Sequence, residues 1–328
     1  MVNVAVIGAG ISGLALANTI KNKAEVVIYE KSRGFGGRVA TRRVDDFSFD
    51  HGAQFFKAKT VEFQNYIQPM LDQNIIELWK AQFIEIVNGE ITNKRTWSND
   101  PSNYVGTPSM NSIGKYMANG LNVQLSKKVE KISKENRWVL YDENNEILGE
   151  YDWVFSSIPP LQAQQIFPGL KVIFPGIPEY QMLACFSLML GYEQPLELEF
   201  DAALIKGFDI SWISVNSSKP SRDKNYTLLV HSTNIWAQEN IDKDRDWVKD
   251  YLCDELKKII PIKTEEAQYI GLQGWRYANI MKQQKGFEYF LNNENQIGLC
   301  GDWFIQGRIE AAYLSGMHLG KEFLSYIG

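Results

Sequence analysis

Cysteine and histidine are scarce in this 328-residue chain, with three of each. Cys185, Cys253 and Cys300 are odd in number and show no Cys-x-x-Cys spacing, which argues against a disulfide framework, a zinc knuckle or a dithiol redox pair. They read as small buried hydrophobes in a reducing compartment. His51, His231 and His318 stand far apart without ligand-type spacing, so no zinc or iron site is expected. Basic runs are absent and the formal net charge is −5, which removes the electrostatic footprint of a nucleic-acid or anionic-membrane binder. No apolar stretch approaches the length that spans a bilayer. The apolar N-terminus lacks a basic leader and is soon interrupted by glycines, so it is not expected to direct export, and the cytoplasm is the expected compartment.

What is present is an ordinary globular composition, 45% hydrophobic and 22% charged, in a chain long enough for a large core and two domains. Its first fifty-six residues are the most informative. The apolar run Val2 to Ile7 leads into Gly8-Ala9-Gly10-Ile11-Ser12-Gly13, a helical pattern follows, and a second apolar run, Val26 to Tyr29, ends on Glu30. This is the order of a dinucleotide-binding βαβ unit. Gly8 permits the sharp turn off the first strand, Gly10 the close approach of a pyrophosphate, and Gly13 the tight packing of helix on sheet. The helix N-terminus offers unpaired N–H groups to the phosphates. Glu30, twenty residues after Gly10, is placed to accept the ribose hydroxyls of an adenosine.

Further along, apolar spacing predicts a helix over residues 61–76, and Asn88-Gly89 marks a hairpin within 78–97. A turn around Pro108 precedes a helix capped near Asn111 or Ser112. Short strands are expected at 123–125, 129–132 and 137–141, a buried strand at 151–158, and further strands at 182–192, 210–215 and 226–232. A helix over 247–260 follows, with Trp247 on its apolar face. A last strand at 296–300 precedes a last helix at 307–326. The fold class is α/β (α+β overall). A discontinuous Rossmann-type nucleotide domain is expected from residues 1–60, 105–165 and 265–328. A mainly antiparallel sheet with helices, built from 61–104 and 166–264, forms the second domain.

Three further motifs carry chemistry. Gly36-Gly37-Arg38 follows Glu30 closely and suits a loop folded back over a pyrophosphate, with the guanidinium as counter-charge. Asp50-His51-Gly52-Ala53-Gln54-Phe55-Phe56 reads either as a turn entering a core segment or as a backbone run lining a flat ring. Gly298-Leu299-Cys300-Gly301-Asp302 is a strand ending in a carboxylate, and Gly307-Arg308-Ile309 opens the last helix. A helix N-terminus beside a flavin ring would stabilise negative charge on its N1–C2=O edge.

Taken together, these segments resemble the FAD-dependent amine-oxidase-like flavoproteins, and more narrowly the renalase group. Residues 180–193, 211–216, 229–233 and Trp275-Arg276 extend the resemblance into the second domain. It implies that Gly8, Gly10, Ile11, Ser12 and Gly13 hold the pyrophosphate, and Glu30 and Lys31 the adenosine ribose. Gly37 and Arg38 would reach the phosphates or ribityl chain. Val129 would present its backbone to the adenine, Gly52, Ala53 and Gln54 would border the isoalloxazine, and Gly301 and Asp302 would bind the ribityl chain or the pyrophosphate. Ile309 would stand at a helix N-terminus beside the ring. No cysteine occupies a flavin-attachment context, so non-covalent FAD is expected.

The resemblance further implies oxidation of the 2- and 6-dihydro isomers of NAD(P)H, with oxygen as acceptor and hydrogen peroxide as product. A substrate that aromatises on losing hydride needs no general acid or base, in keeping with the lack of any triad or paired carboxylates. Trp275 is the candidate for stacking on the substrate ring, and Gln54, Asn216 and His231 for contacting its carboxamide or ribose. Two alternatives stay open on sequence: a flavin amine oxidase or desaturase of a hydrophobic substrate, and a non-catalytic flavin-binding redox sensor.

Overall fold

The computed structural model describes residues 1–97, 102–223, 225–281 and 286–328. The opening strand Val2–Ile7 pairs in parallel with Ala24–Tyr29 on one side and Trp153–Ser156 on the other. Ile297–Leu299 and Phe290–Asn292 extend the sheet beyond Trp153–Ser156, and Asn122–Gln124 closes its other edge, giving six strands. The helix Ile11–Ile20 lies against the last helix, Ile309–Ile327. Parallel strands buried on both faces explain the continuous apolar runs that made them legible.

A seven-stranded sheet forms the second layer, in the order Tyr269–Ile280, Met182–Tyr192, Tyr226–Ser232, Ile210–Val215, Ala202–Lys206, Gln82–Val87, Glu90–Thr96. All its pairings are antiparallel except that of Ala202–Lys206 with Gln82–Val87. The helix Arg245–Lys257 packs on its outer face, where Val248, Leu252 and Leu256 meet Phe186, Leu188 and Leu228. Asn88 and Gly89 turn the hairpin with φ of 52° and 89°, the left-handed pair that Asn-Gly supplies.

Several expectations shift. The helix expected over 61–76 stops at Asp72, and Ile76–Leu78 becomes a strand instead. The helix Asn111–Ala118 has Met110 at its cap position, and its capping groups come from far away in sequence. Asp50 Oδ1 accepts from Met110 N at 2.9 Å, and Thr41 Oγ1 from Asn111 N at 3.3 Å. Val129 lies just before the strand Lys131–Lys134 rather than in it. Trp247 is half exposed, stacked on Trp236 and Tyr251. The strand Tyr269–Ile280, expected within the nucleotide domain's 265–328, pairs instead with Met182–Tyr192 in the seven-stranded sheet. The helix Val61–Asp72 packs Phe63 and Tyr66 on Tyr313 of the last helix. Among the described residues, no helix is long and apolar enough to cross a membrane.

Candidate active site

The turn off the first strand is tight and leaves the following helix end open. Gly8 adopts φ +102° and its N–H donates to Tyr29 O at 2.8 Å, locking the turn to the second strand. A Cβ on Gly13 would lie 2.2 Å from Gly8 O, so only glycine lets the helix start this close. The position of a Cβ on Gly10 opens onto free space, and Gly10 provides no side-chain cap, leaving the first-turn N–H groups of Ile11–Ile20 available. Ser12 Oγ is buried beside the Cys300 thiol. An uncapped helix end and open space above Gly10 fit a phosphate-bearing ligand. Glu30, also buried, accepts from Ala9 N at 2.8 Å on one oxygen and from Ser32 N and Oγ on the other. Its remaining lone pairs are free for ribose hydroxyls. Lys31 is exposed beside it, while Val129 is buried in a loop joined to this strand end by Lys127 N to Glu30 O.

The Gly36-Gly37 loop folds back over the phosphate turn. Gly36 N donates to Ala9 O at 2.8 Å, and Gly36 and Gly37 take φ of 94° and 59°. Arg38 then reaches Asp302, 264 residues away, in a two-pronged ion pair, and also donates to Ala278 O at 2.9 Å. Asp302 is buried and Arg38 about one-third exposed. Gly301 N is held by Ser315 Oγ at 2.9 Å, and Ile309 opens the last helix, which also has no side-chain cap. Arg38 O, in turn, accepts from Ala53 N at 2.9 Å, and a Cβ on Gly52 would sit 1.9 Å from that oxygen. The phosphate loop, Asp302 and the Gly52–Gln54 run thus meet through Arg38.

The run 50–54 lies against the inner face of the seven-stranded sheet. Gln273, Ser187, His231 and Trp212 stand opposite one another on four neighbouring strands and form one row across it. His51 O accepts from Ser187 Oγ at 2.7 Å and from Trp275 Nε1 at 2.8 Å. The Trp275 indole stacks on the His51 imidazole, centroids 5.2 Å apart and 16° between planes. Gln54 Nε2 donates to Asp50 O and Gly52 O, and its Oε1 accepts from Ser214 Oγ at 2.9 Å. Arg42 Nη2 donates to Gln273 Oε1 at 2.8 Å at the edge of this face.

Beneath the run is a buried ionic cluster. Asp50 has no exposed surface and accepts from Thr41 Oγ1, Met110 N, Lys219 Nζ, and Arg222 Nε and Nη2. Burial opposes its ionisation, but Lys219 and Arg222 outweigh it and hold its pKa below the usual carboxylate value. Lys219 Nζ also donates to Gln54 Oε1 at 3.1 Å and Asn216 Oδ1 at 2.9 Å, and lies over the Trp79 ring. Burial lowers its pKa to about 8 despite Asp50. Desolvation, helped by Arg42, pushes His51 down to about 4; desolvation, helped by Lys219 and His51, does the same to His231. Both imidazoles are therefore neutral at pH 7, and His51 Nδ1 and His231 Nε2 are shielded from water without a partner.

Gln54, His51, His231 and Trp275 are thus gathered at one place. Asn216 is fully buried behind them, with Nδ2 on Ser48 O and Oδ1 accepting from Lys219 and Asp50 N, so it braces the run instead of facing a substrate. Lys219, Arg222, Arg42, Ser187 and Ser214 were not singled out from sequence. In Asn216-Ser217-Ser218-Lys219-Pro220-Ser221-Arg222 nothing but the polar spacing separates a buried cluster from a solvated hairpin loop. Among the described residues, no group of His, Cys, Asp and Glu is arranged to hold a metal ion. Cys185, Cys253 and Cys300 are buried, which raises their thiols to about 12, 11 and 12.

Comparison with known proteins agrees with this arrangement. Residues 6–73 match the NAD(P)-binding Rossmann-like domain and residues 91–318 the flavin containing amine oxidoreductase family. The fold resembles a putative protoporphyrinogen oxidase from Exiguobacterium sp. 255-15 (TM-score 0.78, 12% identity, 98% of each chain). It also resembles cyclohexylamine oxidase from Brevibacterium oxydans IH-35A (TM-score 0.73, 14% identity, 99% of each chain). At these identities the likeness is one of fold. A 4,4'-diapophytoene desaturase of Staphylococcus aureus (strain Newman) is 48% identical over 50 residues, 15% of this chain. The match spans only 10% of that desaturase's length.

Proposed function

This chain belongs to the flavin-containing amine oxidoreductase family, and from that premise we propose that it oxidises isomeric dihydronicotinamide dinucleotides, the 2- and 6-dihydro forms of NAD(P)H. It is an FAD-dependent oxidoreductase. Bound FAD would supply a hydride acceptor at N5 and, with oxygen, a route to hydrogen peroxide. The residues that would hold it are those of the phosphate turn, Glu30, Arg38, Asp302 and the Gly52–Gln54 backbone. Protonated, buried thiols support non-covalent attachment.

The charge of the inner sheet face carries this reading. Arg42 stands at its edge on Gln273, Lys219 and Arg222 lie buried behind it with Asp50 as their shared carboxylate, and both nearby histidines are neutral. Such a face repels an ammonium ion and favours a neutral ring carried on an anionic dinucleotide. Trp275, half-buried, offers its indole to a planar dihydropyridine. Beside it, His51 Nδ1 and His231 Nε2 are buried without a partner, and a polar substituent such as a carboxamide would satisfy them. Orientation and exclusion of water are what the protein must add, since the substrate aromatises as it gives up hydride.

Anaerobic mixing of the yellow holoenzyme with dihydronicotinamide isomers, amines and ordinary NADH tests this directly. Fast bleaching of the flavin band by the isomers is expected. Bleaching by amines alone would instead identify an amine oxidase and refute the proposal.

A further inference from the structure

Among the described residues, one positive charge in the interior has no negative counterpart. Asp50, Lys219 and Arg222 have side chains 0%, 0% and 2% exposed, so two cations share one carboxylate out of reach of solvent. Asp50 is the one carboxylate, among the described groups, that acts on Lys219. The other acceptors of Lys219, Gln54 Oε1 and Asn216 Oδ1, are neutral, as is the Trp79 ring. They satisfy its hydrogen-bonding capacity and leave its charge uncancelled. Removing an uncompensated charge from water is costly, and a fold that retains one needs a counter-charge elsewhere.

The position of the cluster shows where that counter-charge would form. Lys219 Nζ lies 3.1 Å from Gln54 Oε1, and Gln54 Nε2 donates to Gly52 O at 2.9 Å. The excess charge therefore sits one side chain behind the Gly52–Gln54 run. We propose that Asp50, Lys219 and Arg222 form a fixed net positive charge that raises the electron affinity of the flavin seated along Gly52–Gln54. This rests on the reading that the run borders the ring. Hydride transfer delivers two electrons and one proton, so the reduced ring bears one negative charge more than the oxidised one. A preorganised cation stabilises that product without any reorganisation at the moment of reaction. Lys219 acts through its field, since each of its three N–H groups is committed to an acceptor within the protein.

A series of holoenzymes with altered charge tests this, read by the midpoint potential against reference dyes and by sulfite, which adds as an anion to oxidised flavin and abolishes its visible band. Lys219→Met brings the cluster to neutrality and should weaken sulfite binding about tenfold or more and lower the potential. Asp50→Asn leaves two cations and should move both readouts the opposite way, while Lys219→Arg should restore them. Unchanged values, or shifts of the same sign in Lys219→Met and Asp50→Asn, would overturn the proposal and indicate a purely structural tie. Should those variants fail to retain FAD, the wild-type holoenzyme decides. It should bind sulfite with an affinity that inert salt hardly changes, because a buried charge is poorly screened. Absence of bleaching, or a steep salt dependence, overturns the proposal. Unshifted potentials with fast bleaching by dihydronicotinamide isomers would refute the charge effect alone; shifted potentials without that bleaching would refute the substrate alone.

Discussion

Two kinds of side chain in the site respond to removal or titration in ways that can be worked out individually. Asp302 is buried and depends on Arg38 for its counter-charge. Arg38→Ala strands that carboxylate, and a loss of about 2 kcal/mol in urea-unfolding stability is expected, together with weaker FAD retention. His51 and His231 titrate near 4 in the folded protein against 6.5 in an unfolded chain. A histidine whose folded pKa is lowered contributes stability above 6.5 that is lost as pH falls toward 4, because the unfolded chain binds the proton more tightly. Each can add a slope of up to about 1.4 kcal/mol per pH unit in that window. The melting temperature should therefore drop between pH 6.5 and 4, and His231→Gln should make the drop shallower. Asp50 acts in the same direction at lower pH, its stabilisation being lost as the pH falls below 3.8 toward its lowered folded value.

At the level of elements, helix starts depend on groups from other parts of the chain. Glu310, in the first turn of the last helix, accepts from Lys59 N, Thr60 N and Thr60 Oγ1, at the start of Val61–Asp72. Glu310→Ala should cost about 1–2 kcal/mol, seen as a lower urea midpoint with the flavin spectrum retained. Gly52→Ala should do more harm, since the new Cβ meets Arg38 O at 1.9 Å and the run must move off the sheet. A loss of about 2 kcal/mol or more and poor FAD content after purification are expected. These long-range caps also explain what sequence revealed and what it hid. Met182–Tyr192, Ile210–Val215 and Tyr226–Ser232 were legible as strands because apolar and β-branched residues run between clear turn signals. Tyr269–Ile280 was not, because Gly271, Gln273, Gly274, Arg276 and Asn279 dilute it, and its strand character comes from pairing with Met182–Tyr192. The phosphate turn was readable because its glycines act locally. Lys219 and Arg222 were unreadable because their partner, Asp50, is about 170 residues away.

Across the whole molecule, the two sheets are joined by the segment 48–54, which bonds to Ser187, Ser214 and Trp275 of one, to Asn216 just beyond its strand Ile210–Val215 and, through Arg38, to the phosphate loop of the other. Bound FAD should therefore protect both sheets together. Calorimetry should give one transition for the holoenzyme, and free FAD at 1,000 times its Kd should add about 4 kcal/mol over the apoprotein. Separate transitions with only one sensitive to FAD would mean that the segment does not couple them. The Arg38–Asp302 pair, whose members are 264 positions apart, also bears on birth of the protein at the ribosome. At roughly 5–20 residues added per second, Arg38 emerges roughly 13–50 s before its partner is made. Throughout that interval the nascent phosphate loop lacks its ion-pair anchor, and for nearly the first half of it the neighbouring strand Trp153–Ser156 is also still to be made.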